Sequence, residues 1–261
     1  MDPAVITTPP SGEARPHPLL FVHGAWHGAW CWEDEFIPWF SEHGYRCHAL
    51  DLRGHGSSDN DRSLRRTRVK HYVEDVRTVV DGMDRPPVII GHSMGGLVTQ
   101  RFTEGRNEIP GIALLAPVPI GGVWRATLKV LRRHPVRFLR ANLTWRLWPI
   151  VATPDLGREM FLTADAPTAE VERFHDRLQD ESYLAYLDML MFTRSRPPLV
   201  PAPALVVAGG ADALFSVKEM RKAASAYGTE AVVVEGAAHD LMLGSRWEVA
   251  AQAVSGWIEG L

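Results

Sequence analysis

Residues 87–98 read Pro-Val-Ile-Ile-Gly-His-Ser-Met-Gly-Gly-Leu-Val, and the rest of the chain is organised around this stretch. The apolar run at its start predicts a short strand, and the apolar spacing after Met94 predicts a helix. Ser93 stands between the two, in the pattern Gly-x-Ser-x-Gly. Glycines two residues to either side suit a turn that is too tight for larger side chains. The pattern predicts a turn that exposes the Ser93 hydroxyl beside the first amide of the helix, that of Met94.

Strands and helices alternate on both sides of this turn. Apolar runs predict strands at residues 18–22, 45–50, 88–92, 112–116, 204–208 and 231–234. Helical spacing predicts helices at residues 33–43, 69–83, 94–105, 217–226 and 247–258. Such alternation is typical of a parallel sheet, with ligands bound at the carboxyl ends of its strands. Ser93 follows one of these ends. The Pro-rich residues 1–17 predict a loose arm with at most one short strand.

The alternation stops between Pro119 and Pro198, where helical segments are divided by prolines and no strand pattern occurs. We therefore predict an α/β core formed by residues 1–118 and 199–261. A helical cap, residues 119–198, is inserted after the strand that ends near Ala116. Two apolar stripes at helical spacing open the cap. They are Trp124, Leu128 and Leu131 in the first segment and Val136, Leu139 and Leu143 in the second.

The charges of the cap are divided along the chain. Residues 121–154 carry seven basic side chains and no acidic one, whereas residues 155–181 carry eight acidic side chains against three arginines. In one interpretation the two halves pair at a solvated surface, where each exposed pair contributes roughly 0–1 kcal/mol. In the other, the basic segments and their tryptophans make a weak contact with anionic lipid. The basic residues are Arg125, Lys129, Arg132, Arg133, Arg137, Arg140 and Arg146.

Ser93 needs a base and an orienting acid, because a serine hydroxyl is a weak nucleophile at neutral pH. The chain offers Asp212 just after the predicted strand 204–208, and His239 just after the predicted strand 231–234. Parallel strands bring their carboxyl ends to one edge of a sheet. The order of the three residues along the chain also suits such a fold. We therefore predict a catalytic triad of Ser93, His239 and Asp212.

The remaining acids and histidines near these positions have plainer interpretations. Asp51 and Asp59 precede Ser93 in a loop, and we expect them to hold loop backbone. Asp240 adjoins His239, so its carboxylate is poorly placed for a linear bond to Nδ1 of that ring. The two histidines within residues 23–27 are interpreted as loop histidines rather than a metal pair. Glycines 24 and 28 argue against the helix that such a metal site would need.

Over most of its length the chain resembles the α/β-hydrolase family. The likeness lies in the His-Gly turn at 23–24, the Asp-Leu-Arg-Gly-His-Gly-Ser-Ser-Asp loop at 51–59, the Gly-x-Ser-x-Gly turn, and the two later catalytic candidates. Residues 23–32, His-Gly-Ala-Trp-His-Gly-Ala-Trp-Cys-Trp, are similar to the plant methylesterase and hydroxynitrile-lyase branch. The resemblance implies an α/β-hydrolase fold, with a mostly parallel sheet flanked by helices. It also implies an oxyanion hole made by the amides of Ala25 and Met94.

The resemblance and the predicted triad favour a carboxylic-ester hydrolase. Its expected substrate is a small, mostly apolar ester, lactone or monoacylglycerol, cleaved through an acyl-enzyme on Ser93. We expect no cofactor and no metal, because the chain has neither Gly-x-Gly-x-x-Gly nor a P-loop pattern. The predicted pocket residues are Trp26, Trp30, Trp124, Leu187 and Met191.

Other activities stay open at this point. A carbon–carbon bond hydrolase or a cofactor-free perhydrolase uses a similar turn. A hydroxynitrile lyase of the related branch has a lysine directly after the catalytic histidine, where this chain has Asp240. Epoxide and haloalkane hydrolysis need a carboxylate at the position of Ser93. Outside enzymes, the alternative is a small-molecule sensor that retains the triad.

The length, composition and net charge of the chain limit the classes of protein to which it can belong. The chain has 261 residues, 46% of them hydrophobic, which suffices for one α/β domain with an insertion. A net charge of −3 gives no case for a nucleic-acid partner. The two cysteines, Cys31 and Cys47, imply no disulfide framework. There is no signal-peptide pattern and no apolar run of membrane-spanning length, so the cytoplasm is the default expectation. The oligomeric state stays open.

Overall fold

The computed structural model describes residues 2–60 and 63–261. Met1, Asp61 and Arg62, which belong to the predicted core range, lie outside the described residues. The strands of the described chain are β1 Val5–Thr8, β2 Leu19–Val22, β3 Cys47–Leu50, β4 Val88–His92, β5 Ile112–Leu115, β6 Ala204–Gly209 and β7 Ala231–Val234. Its α-helices are α1 Phe36–Glu42, α2 Val69–Asp81, α3 Met94–Thr103, α4 Trp124–Arg133, α5 Pro135–Thr144, α6 Trp148–Val151, α7 Pro154–Phe161, α8 Thr168–Arg177, α9 Tyr183–Leu187, α10 Val217–Ala226 and α11 Trp247–Ile258.

The described strands form one sheet in the order β1-β3-β2-β4-β5-β6-β7. Strand β1 runs antiparallel to β3, and the other neighbouring strands are parallel. This confirms the predicted mostly parallel sheet, and the N-terminal arm supplies the single short strand that the sequence allowed. The strand that leads to Ser93, β4, lies at the centre of the sheet, and β6 and β7 lie on the same side of it.

Both faces of the sheet are buried, which explains why its strands read as continuous apolar runs. Successive residues of β2 alternate between two cores. Leu20 and Val22 belong to one hydrophobic cluster, and Leu19 and Phe21 to the other. Each of these four side chains is fully buried. The sheet is therefore a rigid support. The catalytic candidates follow the carboxyl ends of its parallel strands, at one edge of the sheet.

Within the described residues, the chain between β5 and β6 forms helices and turns and contributes nothing to the sheet. This agrees with the predicted helical insertion after the strand near Ala116. The boundaries of separate domains at 118 and 199 remain a prediction. The sequence analysis did not predict helix α7, whose start carries a recognisable signal. Thr153 caps it by accepting a hydrogen bond from the Leu156 amide, and Pro154 occupies its first turn.

Among residues 2–60 and 63–261, no helix is both long and apolar enough to cross a lipid bilayer.

The turn at Ser93 depends on glycines because the backbone of β2 passes directly beneath it. A Cβ atom added to Gly95 would overlap the carbonyl oxygens of Val22 and His23. A Cβ added to Gly91 would lie 2.7 Å from the carbonyl oxygen of Gly95. These obstacles are backbone atoms, which cannot rotate away as a flexible side chain can.

We expect Gly95→Ala to lower the free energy of unfolding by roughly 1–3 kcal/mol, because the added methyl group forces the backbone apart. Urea denaturation followed by circular dichroism measures the effect. The control is Gly256→Ala in helix α11, where nothing lies within 4 Å of an added Cβ. That variant should be stabilised by about 0.5–1 kcal/mol. Equal midpoints for the two variants would contradict the packing argument.

Candidate active site

Ser93 occupies the sharp turn between β4 and α3. Its backbone has φ +51° and ψ −114°, a strained conformation for a residue with a side chain. The Ser93 amide donates to the Leu115 carbonyl at 3.0 Å, and the Val118 amide donates to the Ser93 carbonyl at 3.2 Å. These bonds tie the turn to β5 and to the loop after it. The turn holds the hydroxyl above the sheet, where 9% of the residue remains exposed.

His239 and Asp212 lie beside Ser93 at the same edge of the sheet. His239 Nε2 is 3.0 Å from Ser93 Oγ, and His239 Nδ1 is 2.8 Å from Asp212 Oδ2. A carboxylate only accepts hydrogen bonds, so Nδ1 carries the proton and the lone pair of Nε2 faces the serine hydroxyl. The other oxygen of Asp212 accepts from the amides of Leu214 and Phe215 at 2.7 and 2.9 Å. The structure thus brings the three predicted triad residues together in one chain of hydrogen bonds.

The electrostatic environment prepares His239 to hold a proton. Burial of the ring disfavours its charged form, but the Asp212 carboxylate at Nδ1 and the nearby Asp240 outweigh that effect. Together they raise the pKa of His239 above its usual value of 6.5. The neighbouring ring of His92 behaves in the opposite way. Burial lowers the pKa of His92 to about 3, so this ring stays neutral beside the triad.

The amides predicted for the oxyanion hole lie on either side of Ser93. Met94 opens helix α3, so its N–H lies at the positive end of the helix dipole. Ala25 belongs to the loop after β2, which touches the serine turn. A Cβ added to Gly24 would lie 3.2 Å from Ser93 Cβ. Within residues 2–60 and 63–261, neither the Ala25 amide nor the Met94 amide donates a hydrogen bond. Both residues border the same cavity as Ser93.

A buried carboxylate from the cap, Glu181, supports the loop that carries Ala25. Glu181 is fully buried and accepts from the Tyr72 hydroxyl at 2.8 Å and from His55 Nε2 at 3.1 Å. The amide of Trp26, a residue with φ +65°, points to the same carboxylate at 3.4 Å. Burial alone raises the pKa of Glu181, but the His55 ring and the other donors lower it overall, so it is held as an anion. The sequence analysis missed this residue.

A second buried carboxylate, Asp240, lies behind His239 and not against its Nδ1. Asp240 Oδ2 is 2.8 Å from His27 Nε2, and Asp240 Oδ1 is 3.5 Å from His92 Nε2. His92 Nε2 also lies 3.2 Å from the carbonyl oxygen of His239. These contacts hold the backbone of the loop that carries His239. They agree with the interpretation of His27 as a loop histidine.

The side chains of His92, His239 and Asp240 bring potential metal-ligand atoms within 4.8 Å of one another. However, both ring nitrogens of His239 already face Asp212 and Ser93. A cation there would have to displace the hydrogen bonds of His239 to Asp212 and Ser93, so the donor set does not suit a resident metal.

Asp51 confirms its predicted role in holding loop backbone. Its carboxylate accepts from the amides of Ala29 at 2.6 Å and Ser57 at 2.9 Å. It thereby ties the loop after β2 to the loop after β3. The other acid of that loop, Asp59, is exposed, and its carbonyl oxygen accepts from the Gly54 amide at 3.1 Å.

Ser93 opens onto a cavity of about 90 Å³ between the sheet edge and the cap. Helices α4 to α7, helix α9 with the turn after it, and the loop after Asp212 supply its wall. Several polar side chains in or beside that wall are paired with one another, whereas Trp26 Nε1 and His92 Nδ1 have no hydrogen-bond partner among the described residues. Tyr183 donates to the Asn142 side chain at 2.8 Å, and Tyr186 donates to Thr127 at 3.3 Å. The surface that faces Ser93 is therefore mainly apolar, and its larger members are Val130, Phe138, Ile150, Met160, Phe161 and Phe215.

Of the five predicted pocket residues, only Trp26 lines this cavity, and the other four are corrected by the structure. Trp30 packs on the His27 ring at 5.2 Å and beneath the Arg177 guanidinium. Trp124 is 48% exposed, because helix α4 turns its predicted apolar stripe outward. The positions on α4 that border the cavity are 123, 126, 127 and 130.

Neither Leu187 nor Met191 borders the cavity, and the helix changes its winding between them. The α-helix ends at Leu187, and residues 188–192 form a π-helical turn. The wider turn directs Met189 to the cavity and leaves Met191 54% exposed. Asp188 fixes this arrangement, since its carboxylate accepts from the Val69 amide at 3.1 Å and from Arg68 Nε at 3.0 Å.

The cavity residues that the sequence analysis missed come mainly from unpredicted local structure. Met160 and Phe161 lie at the end of α7, and the Thr-Pro start of that helix was the signal that could have revealed them. Phe215 lies three residues after Asp212 and packs edge-on against the His239 ring at 5.1 Å. Its position close to the predicted acid was the only sequence signal for it.

A mostly parallel sheet with a serine turn at its carboxyl edge defines the class of α/β hydrolases. The chain matches the sequence model of the Alpha/beta hydrolase family over residues 19–253. It therefore belongs to this family, which confirms the predicted resemblance.

Relatives share shorter stretches with the chain. Methylesterase 10 of Arabidopsis thaliana is 36% identical over 91 residues, which cover 34% of this chain and 32% of that protein. Epoxide hydrolase 1 of Caenorhabditis elegans is 27% identical over 108 residues, which cover 41% of this chain and 26% of that protein. The matched stretch thus spans about a third or less of these two relatives. The monoacylglycerol lipase of Paleococcus ferrophilus superposes with a TM-score of 0.73 at 19% identity, covering 99% of this chain and 98% of that one. This last likeness concerns the fold.

The His239 pKa provides a test of the site that needs no substrate. We expect the ring to titrate above pH 6.5 in NMR spectra, and Asp212→Asn to lower its pKa, because that change removes the carboxylate at Nδ1. His92 should remain neutral across the same range. Asp240→Asn is the matched control and should lower the His239 pKa by less. A larger effect of Asp240→Asn would mean that Asp240 is the principal partner of the ring.

Proposed function

We propose that the protein is a serine hydrolase that cleaves a small, mostly apolar carboxylic ester through an acyl-enzyme on Ser93. The observation that carries the proposal is the unbroken chain of hydrogen bonds from Ser93 through His239 to Asp212. This chain opens into an apolar cavity beside two amides, those of Ala25 and Met94. Nucleophile, base, orienting acid and oxyanion donors are the parts that acyl transfer requires.

In the acylation step, His239 Nε2 takes the Ser93 Oγ proton as Oγ bonds to the carbonyl carbon of the ester. The carbonyl oxygen becomes an anion and accepts hydrogen bonds from the Ala25 and Met94 amides. Asp212 stabilises the imidazolium that forms. The carbon–oxygen bond to the leaving group then breaks, and His239 protonates the departing alcohol.

Deacylation repeats these steps with water as the nucleophile. His239 removes a proton from water as the water oxygen attacks the acyl carbon. The second tetrahedral intermediate collapses, the acid leaves, and the Ser93 oxygen recovers its proton from His239. No redox change occurs, and water is the only co-reactant.

The names of relatives agree with ester chemistry but leave the substrate open. A methylesterase and a monoacylglycerol lipase both act on esters by name, and the lining of the cavity is mainly apolar, which favours an apolar acyl group. An epoxide hydrolase is also among the relatives. Its chemistry needs a carboxylate at the nucleophile position, and Ser93 does not provide one.

Ser93→Ala tests the proposal directly. We expect kcat on a chromogenic ester to fall by ~10⁴-fold or more with the fold retained, because loss of the nucleophile disables the triad as a unit. A fluorophosphonate probe should label the wild type and leave the variant unlabelled. Ser195→Ala is the control, since this buried serine lies outside the triad. Normal hydrolysis by Ser93→Ala would rule out the proposed function.

A panel containing an ester, a lactone and a β-diketone, together with an assay for peracid formation, separates the alternatives that use the same triad. Rapid turnover of the diketone alone would indicate a carbon–carbon bond hydrolase. Preferential peracid formation would indicate a perhydrolase. A single slow turnover that leaves the protein acylated would indicate a sensor.

The size of the cavity predicts a limited range of acyl chains. Each added methylene should improve transfer from water by about 0.8 kcal/mol until the cavity is full. Catalytic efficiency on p-nitrophenyl esters should therefore rise from acetate, reach a maximum at an intermediate length, and fall. Val130→Phe should move the maximum to a shorter chain because Val130 lines the cavity. Leu128→Phe is the control on the same helix, and its profile should match the wild type. A flat profile, or preference for charged acyl groups, would contradict an apolar pocket.

A further inference from the structure

The first two cap helices expose five large apolar side chains on the side away from the cavity. On α5, Val136 is 78% exposed, Leu139 58% and Leu143 75%. Trp124 and Leu131 on α4 are 48% and 40% exposed. Single apolar residues on a surface are ordinary, but here they recur at helical spacing along two neighbouring helices, and larger exposed apolar surfaces bind something apolar. We use "the outer face" for these five side chains together with Arg132 and Arg140.

The protein's own core does not need the outer face. The opposite sides of both helices already line the cavity, with Val123, Ala126 and Val130 from α4 and with Phe138 and Ala141 from α5. These helices are therefore apolar on two sides. One side packs over Ser93, and the five apolar side chains of the outer face are 40–78% exposed.

The charge around the outer face is positive. Arg133 and Arg146 pair with acids of the second half of the cap, at 3.0 Å from Glu159 and 2.7 Å from Asp180. The paired-surface interpretation therefore holds for these two arginines. In contrast, Arg132 and Arg140 are exposed, and neither has an ion-pair partner among residues 2–60 and 63–261.

Two further groups extend this surface at the C-terminal end of α5. Arg65 reaches the Thr144 carbonyl at 3.5 Å and brings another guanidinium to the helix end. Trp145 is 49% exposed and stacks on Tyr183, with the ring centroids 5.2 Å apart. An indole held at the edge of an apolar, basic surface is typical of groups that lie at the level of lipid headgroups.

We propose that the outer face docks on a membrane surface that contains anionic lipid. The apolar side chains of α5 would enter the boundary between headgroups and acyl chains, and Arg132 and Arg140 would meet lipid phosphates. A second copy of the chain fits less well. A two-fold contact would bring identical arginines together, and residues 121–154 contain no acid to neutralise them.

The docking itself does not depend on hydrolysis. A consequence that rests on the proposed function is that an apolar ester passes from the membrane to Ser93 beside α5. The helix that touches the lipid on its outer side lines the cavity on its inner side. The experiment below uses the Ser93→Ala background, so loss of binding and loss of hydrolysis are measured separately.

Sedimentation with vesicles tests the docking surface, using the full chain as Ser93→Ala. We expect binding to phosphatidylcholine vesicles that contain phosphatidylserine, little binding to phosphatidylcholine alone, and release at high salt. Arg132→Glu/Arg140→Glu should weaken the partition coefficient by about 25-fold or more, since each basic residue near such a surface contributes roughly fivefold. Leu139→Ser/Leu143→Ser should also weaken binding, through loss of apolar contact.

Two control variants carry the same kinds of substitution at exposed positions outside the outer face. Arg221→Glu/Lys222→Glu alters the net charge equally on the exposed side of α10, and Val232→Ser/Val249→Ser removes apolar groups that are 38% and 47% exposed. Both controls should bind like the parent. The proposal is overturned if the parent fails to sediment with anionic vesicles at low salt, or if the α10 control loses as much binding as the outer-face variant. Self-association that is abolished by Leu139→Ser/Leu143→Ser, without vesicle binding, would assign the surface to a second copy instead.

Discussion

The strained backbone of Ser93 is the constraint on which the rest of the site depends. A residue at φ +51° and ψ −114° costs on the order of 1–3 kcal/mol, so the surrounding structure must hold it there. The hydrogen bonds to Leu115 and Val118 do so, and Gly95 lets the turn settle onto the backbone of β2. The central position of β4 in the sheet makes this support rigid. Because the turn is fixed, the Ser93 hydroxyl has a defined position. The loop that carries His239 places that ring within hydrogen-bond reach of the hydroxyl, and the loop that carries Asp212 places its carboxylate against the ring.

Three buried carboxylates around the site are each hydrogen-bonded to a histidine ring, and these pairs help to hold the loops at this edge of the sheet. A charge buried without partners is very costly, whereas a paired and hydrogen-bonded one can be retained. The pairs join segments that are far apart in sequence, so the catalytic edge is held together by polar contacts as well as by the apolar core. They are Asp212 with His239, Asp240 with His27, and Glu181 with His55.

The sequence predicted the core of the fold because apolar strands, amphipathic helices and turn glycines are local signals. It also predicted which residues meet at the sheet edge, since Ser93, Asp212 and His239 each follow a strand end. The pocket wall was harder to predict for a physical reason. Helical periodicity identifies a stripe but not the side of the helix that faces the pocket, and Trp124 was assigned to the wrong side. The π-helical turn after Leu187, which depends on contacts of Asp188 with α2, has no local signal at all.

The wrong assignment of Trp124 has a physical cause in the way the cap helices are built. In an ordinary surface helix the larger apolar side chains point inward, and a periodicity argument then gives the right answer. On α4 and α5 the inner side combines Val130 and Phe138 with the small residues Ala126 and Ala141, and the two alanines leave space over Ser93. A second apolar stripe on each helix faces outward. A cap helix that must leave a cavity on one side cannot fill that side completely. On α4 and α5 the apolar stripe seen in the sequence therefore lies on the outer side of the helix and not in the core of the protein.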